Sequence, residues 1–319
     1  MSHNIEKLAS GEYSIAWSGE TPWHGLGKKV LSDLTPEQML TEAGLDWDVE
    51  KVPAYAKING KRITMDHCAL VRTSDNRKLA EVTNDWKPIQ NAEAFEFFDD
   101  FIKAGEMEMH TAGSLQNGQI VWGLAKIKQG FKLFKGDEIN GYLLFSNFHK
   151  YGFSTDVRFT PIRVVCNNTL TLSLSTRSER VVKISHRKDF IADEVKETLG
   201  VAKEKLAKYK EMAAFLGSKK YGKQNVVEYF KELMPNSSKK EDKIGTLSRT
   251  AKMGMAILET QPGANFAPGT WWNAFNAATF LVDHTVGRST DTRLTSSWYG
   301  YGRKLKTKAL EKAVEYANA

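Results

Sequence analysis

The sequence predicts an α+β fold, in which an antiparallel, β-hairpin-rich first part with one or two packed helices is followed by a mainly helical second part. Three observations predict it. Asn59-Gly60 and Asn117-Gly118 each separate two runs of alternating or β-branched residues, the signature of a tight hairpin. From Asp189 the apolar period lengthens from two to between three and four, as Ile191, Val195, Leu199, Ala202, Leu206, Tyr209, Ala213 and Leu216 show. The charge changes sign along the chain: residues 1–149 carry 16 basic and 21 acidic side chains (net −5), residues 150–188 carry +6 and residues 189–319 carry +6. The expected division is a β-rich domain over 1–185 and a basic helical part over 186–319 packed on it.

The elements follow in order. Thr35-Pro36-Glu37-Gln38 supplies a cap, a proline at the first helical position and a glutamine at the capping-box position, so a short helix runs to about Ala43 and stops at Gly44. Asp48–Ile58 and Arg62–Arg72 are the arms of the first hairpin. Asn91 is expected to cap a helix whose face carries Ala94, Phe95, Phe98, Phe101 and Ile102 and which ends at Gly105. The second hairpin joins Glu108–Leu115 to Gln119–Ile127. Gly141–Phe148 and Phe153–Phe159 form a strand pair around the basic aromatic turn His149-Lys150-Tyr151-Gly152. The stretch 161–170 is read as a strand passing into a helix, because Val165 and Leu170, with Leu172 and Leu174 beyond, repeat like a buried helical face. Glu179–Ile184 is the last strand. Helices are expected at Asp189–Leu216, Asn225–Met234, Ile244–Glu259, Thr270–Thr285 and Arg303–Asn318, with a polar loop over 235–242.

Composition excludes several classes. The 319 residues, with 41% hydrophobic and 26% charged side chains, describe a soluble globular chain rather than collagen, a disordered tail or a disulfide-stapled mini-protein. Cys68 and Cys166 sit among apolar neighbours and read as buried free thiols. No apolar run is long enough to span a bilayer and no signal-peptide core opens the chain, so a cytoplasmic location without membrane attachment is expected.

The sequence carries no Gly-x-Ser-x-Gly elbow and no phosphate-binding Gly-x-x-x-x-Gly-Lys motif. Trp23-His24-Gly25-Leu26-Gly27-Lys28-Lys29 reads as a tight turn covering the core with Trp23. No cofactor is expected and no catalytic residue is assigned. The best metal-like constellation is Asp283, His284 and Asp291; it would suit a metal-dependent nuclease, although Arg288 and Arg293 offer the two carboxylates ordinary ion-pair partners.

Nucleic-acid binding is the chemistry the residues support best. Single strands are held by cations that track phosphates and by aromatic faces on which bases stack. Two stretches combine these ingredients. In the first, Lys150, Arg158 and Arg163 supply charge, Tyr151 a ring, and Asn167 and Asn168 hydrogen bonds to sugar or base edges. In the second, Arg288, Arg293, Arg303, Lys304 and Lys306 supply charge, and Trp298, Tyr299 and Tyr301 the rings. Cations in the first turns of the last helix oppose its dipole, so an external anion gives them a reason to be there. Arg163, inside an apolar run, either pairs with a carboxylate or projects into the groove.

Four strings carry a resemblance: Trp23-His24-Gly25-Leu26-Gly27; Pro88-Ile89-Gln90-Asn91-Ala92-Glu93-Ala94-Phe95; Pro161-Ile162-Arg163-Val164-Val165-Cys166-Asn167-Asn168-Thr169-Leu170; and Trp272-Asn273-Ala274-Phe275-Asn276-Ala277 through Arg293, Gly300, Gly302 and Lys306 to Ala309-Leu310. In this order, from about residue 15 to 315, they resemble the phage/plasmid-like protein family, which is of unknown function. The resemblance implies a mobile-element protein of the bacterial cytoplasm and brings no catalytic residues. At the level of fold alone, a hairpin sheet followed by helices is similar to phage single-strand annealing proteins, which form rings or filaments. The expectation is therefore a non-catalytic, single-strand-preferring DNA-binding protein of phage or plasmid replication or recombination that forms homo-oligomers. The alternatives are the nuclease and a protein that binds a host factor or a phage replication protein, in counter-defence for example.

Overall fold

In the computed structural model, the described residues are 5–8, 10–19, 22, 25–163, 168–169, 172–173, 183–184, 198–236, 246–287 and 292–319. The strands are β1 (Ile15–Trp17), β2 (Lys28–Lys29), β3 (Val49–Ile58), β4 (Lys61–Arg72), β5 (Arg77–Val82), β6 (Met107–Leu115), β7 (Ile120–Ile127), β8 (Phe131–Leu133), β9 (Asp137–Phe148), β10 (Thr155–Arg163), β11 (Asn168–Thr169), β12 (Leu172–Ser173) and β13 (Lys183–Ile184). The helices are α1 (Pro36–Glu42), α2 (Asn91–Glu96), α3 (Asp99–Lys103), α4 (Thr198–Ser218), α5 (Lys223–Leu233), α6 (Arg249–Ala256), α7 (Trp271–His284), α8 (Arg293–Tyr299) and α9 (Tyr301–Asn318). The fold is α+β, β-rich first and helical second.

The main sheet has the order β11, β10, β9, β7, β6, β1, β2, with β8 also on β9 and with β12 and β13 on β10. All of its pairs are antiparallel except β1 with β2. Side chains alternate between its faces. Val121, Ala125, Leu143, Phe145, Val157 and Phe159 point into the larger core with the phenylalanines of α2 and α3. Ile120, Trp122, Leu124, Tyr142, Leu144 and Phe148 point the other way and are covered by Leu294 and Trp298 of α8. A separate sheet, β3, β4, β5, stands beside it. Its base is tied down by Arg72, whose Nη1 lies 2.7 Å from Glu6 Oε1 and whose Nη2 lies 2.6 Å from Asp75. Ser114 of β6 donates to the other Glu6 oxygen at 2.8 Å.

Local sequence explains most boundaries. Thr35 and Gln38 form the reciprocal capping box of α1, with Oγ1 accepting from Gln38 N at 3.2 Å and Oε1 from Thr35 N at 2.9 Å. Asn59 and Gly60 both adopt positive φ, +50° and +80°, as a two-residue hairpin turn requires. The helices close over the sheet through α7: Trp272 Nε1 donates to buried Asp137 at 2.9 Å, and Trp271 stacks on Tyr316 of α9 at 5.2 Å.

Three expectations need correction. Asn91 does not cap its helix; its amide is buried and donates to Leu45 O and Trp47 O at 2.9 and 3.1 Å, while Gln90 occupies the cap position. The single helix to Gly105 is broken into α2 and α3, because the aromatic cluster of Phe95, Phe97, Phe98, Phe101 and Phe145 is packed by turning the chain. Where 161–170 is described it is strand, not helix: β10 continues to Arg163, and β11 folds back on it with Ile162 opposite Thr169. The 185/186 boundary and the Trp23 turn lie outside the described residues.

Candidate functional site

The antiparallel order places the β6–β7 and β9–β10 turns at the same end of the main sheet, since Ile120 pairs with Phe148. Against this end lies the junction of α8 and α9. Between them is a pocket of about 350 Å³ lined by Gln116, Ile120, Phe148, Lys150, Phe153, Thr292, Thr295, Ser296, Tyr299 and Gly300. That is near the lower end of the usual range for ligand sites, roughly 300–1,000 Å³.

One wall is aromatic. Phe148 and Phe153 stack at 5.1 Å between centroids, and Tyr299 meets Phe148 edge-on at 5.4 Å. Tyr299 is fixed by a 2.8 Å hydrogen bond between its hydroxyl and Ser146 Oγ, and burial pushes that hydroxyl well above its ordinary pKa. Lys150 closes the top, with Nζ 4.3 Å from the Phe153 ring centroid and 3.0 Å from Gln116 Oε1. Burial lowers its pKa, so its charge is held at some cost in a half-apolar setting. Thr295 Oγ1, one helical turn before Tyr299 on α8, is buried with no hydrogen-bond partner among the described residues. Phe153 is 47% exposed, and Tyr151 and Tyr301, each next in sequence to a lining residue, are exposed at 58% and 66%.

A basic group adjoins the aromatic wall. Arg158 is clamped by Asp156 and lies 5.9 Å over the Tyr299 ring. Burial works against its charge, and the Asp156 hydrogen bond and charge more than offset that, raising its pKa. Arg303, in the first turn of α9, has the opposite balance: burial and the neighbouring Arg158 charge lower its pKa, and its buried Nε lacks an acceptor among the described residues. Arg158 and Arg303 therefore share the charge of Asp156, leaving net positive potential beside the pocket. Lys304 is exposed on the same turn, and Arg293, partly buried on α8, likewise has an unpaired Nε among the described residues.

The structure thus brings together Lys150, Tyr151, Arg158, Arg293, Tyr299, Tyr301, Arg303 and Lys304 of the expected residues. Two others are displaced. Lys306 is fully buried, with Nζ 2.6 Å from both Asp283 Oδ1 and Ser297 Oγ, so it holds the core together rather than meeting phosphate. Trp298 is 5% exposed and meets Trp122 edge-on at 4.8 Å, which makes it a core residue of the second sheet face and not a stacking platform. The Arg163 side chain, Asn167, the Asn168 side chain and Arg288 lie outside the described residues.

The nuclease constellation is not assembled where it is described. Asp283 is engaged by Lys306 and Ser297, His284 packs on Phe280 at 4.5 Å, and Asp291 lies outside the described residues. Among the described residues no group of three or more His, Cys, Asp or Glu is placed to hold a metal ion. Among them, too, no helix is long and apolar enough to cross a membrane.

Sequence reasoning missed Gln116, Ile120, Thr295 and Ser296 as walls of the pocket; Phe148 and Phe153 belong to the basic aromatic stretch 147–154 that it singled out, without a role of their own. A signal for the first two existed: two hairpins in one antiparallel meander must place alternate turns at one end. For α8 there was less, because Thr292–Ser297 is polar and too short to show a period.

A family model described as a domain of unknown function, DUF932, matches residues 78–298. The chain belongs to the DUF932 family. The DUF932 match starts inside β5 and ends at Trp298, so it takes in strands β6 to β13 of the main sheet and α8 up to its last residue, but not β1, β2, the β3–β4 hairpin or α9. No curated protein and no solved structure matches the chain.

Proposed function

We propose that this DUF932 protein is a non-catalytic nucleic-acid-binding protein that holds single-stranded DNA across the cleft between the β9–β10 turn and the α8–α9 junction. One observation carries the reading: exposed rings at Tyr151 and Tyr301 follow directly on Lys150 and Gly300, two lining residues of a concave aromatic pocket, beside the cations Lys150, Arg303 and Lys304. Rings and cations alternating along a groove suit a strand whose bases and phosphates also alternate. Phosphates would run past Lys150, Arg303 and Lys304, with Arg158 held in place by Asp156 behind Tyr299. The four strings described above support a phage or plasmid protein of the bacterial cytoplasm, and the likeness of a hairpin sheet followed by helices to annealing proteins supports a role in replication or recombination with oligomerisation on the strand.

The test is a titration of labelled single-stranded oligonucleotide with the intact protein and with Tyr151→Ala/Tyr301→Ala. The expected result is tight binding by the first and a loss of about 2–6 kcal/mol in the second, from two rings at about 1–3 per stacked base. Equal binding by both would remove the cleft from the account.

A further inference from the structure

The first hairpin outgrows its sheet. β5 accompanies β4 only between Cys68↔Val82 and Arg72↔Arg77, whereas β3 and β4 continue past a bulge at Pro53/Tyr55 to Ile58↔Lys61. Beyond the bulge the chain is a two-stranded ribbon, with nearly every residue from Tyr55 to Asp66 exposed. At roughly 3.3 Å per residue it reaches some 15–20 Å into solvent. Its base, by contrast, is rigid, because Arg72 is locked by Glu6 and Asp75.

The ribbon has two unlike faces. Register puts Tyr55, Lys57, Arg62 and Thr64 on one and Ala56, Ile58, Lys61 and Ile63 on the other. Lys57 lies directly opposite Arg62, a like-charge pairing that weakens a hairpin unless something else uses the charges. No acidic residue occurs from Pro53 to Met65. Arg62 already covers the Tyr55 ring at 3.3 Å, so that ring is not open to stack on a base. The second face leaves Ile58, Ile63 and Met65 at 54%, 46% and 39% exposure.

We infer that the β3–β4 ribbon is an arm that enters a groove of duplex DNA. A two-stranded ribbon has the width of a groove-binding element, and three cations without a carboxylate complement its phosphate walls. Isoleucine and methionine are among the apolar side chains with which groove-binding proteins press against sugars and base steps. A single strand offers no groove to fill, and the ribbon offers it no free ring. The inference does not rest on the cleft: a protein that bound duplex through the ribbon and ignored single strands would preserve it while refuting the cleft reading.

The experiment uses the full chain and labelled duplex and single-stranded oligonucleotides, between about 50 and 200 mM salt. Lys57→Ala/Lys61→Ala/Arg62→Ala should lose at least about tenfold in duplex affinity at the lower salt and shed about 3 from the magnitude of the log–log salt slope. Its single-strand affinity should change less than threefold. The inference is overturned if the intact protein does not bind duplex, if the triple variant binds it equally well, or if single-strand affinity falls in parallel. Ile58→Ser/Ile63→Ser provides a second arm, with several-fold weaker duplex binding expected. Conversion of an oligomer to a monomer with duplex binding intact would instead make the apolar face an interface between copies and overturn the inference.

Discussion

The α8–α9 junction and the β3–β4 ribbon are both basic, and they spend their charge differently. At the junction, Lys306 is consumed inside the fold by Asp283, Arg158 is clamped by Asp156, and Arg303 is half-buried under the influence of both. On the ribbon, Lys57, Lys61 and Arg62 stand in water with no carboxylate among their own thirteen residues from Pro53 to Met65. Yet the junction lies in the segment with net charge +6, and the ribbon in the segment with net charge −5. Segment charge therefore says little about where a cation is available. What decides it is whether folding has already given that cation a partner.

The largest test of this difference is on stability. Lys306→Ala removes the buried ammonium that Asp283 and Ser297 share and should cost about 3–5 kcal/mol in denaturant unfolding. Lys57→Ala and Arg62→Ala should each stay within about 0.5 kcal/mol. A mild Lys306→Ala variant would mean that this lysine is available after all.

How much could be read in advance follows the same line. The hairpin turns were legible because Asn59-Gly60 specifies positive φ locally, and α1 because Thr35, Pro36 and Gln38 each fill a distinct cap position. The break between α2 and α3 was not, since a run of phenylalanines has the same spacing whether or not tertiary packing bends it. Lys304 and Lys306 look alike in sequence, and helix geometry puts residues two apart on different faces; only the position of Asp283, 23 residues away, tells which one is buried. Likewise, Trp298 could be a platform or a plug until Trp122 is placed beside it.

Smaller effects sharpen the cleft itself. Tyr151→Ala alone should cost about 1–3 kcal/mol of single-strand binding while leaving duplex binding by the ribbon unchanged, measured by anisotropy on both probes. Lys150 carries a pH signature. Burial lowers its pKa below the ordinary 10.5, and phosphate binding needs the charged form, so single-strand affinity should begin to fall on the alkaline side earlier than an exposed lysine would allow. Lys150→Arg should shift that decline to higher pH, because a guanidinium keeps its proton; an unchanged profile would exclude Lys150 as a phosphate contact. Smallest of all, Lys304→Ala should leave stability within about 0.5 kcal/mol and reduce the magnitude of the single-strand salt slope by about 0.7.

The most direct measurement is the salt dependence of single-strand binding by the unaltered protein. If phosphates pass Lys150, Arg303 and Lys304, the logarithm of affinity should fall linearly with the logarithm of salt, with a slope of about −2 from those three contacts and steeper with more. A flat response, or no binding at the lowest salt, would contradict the account.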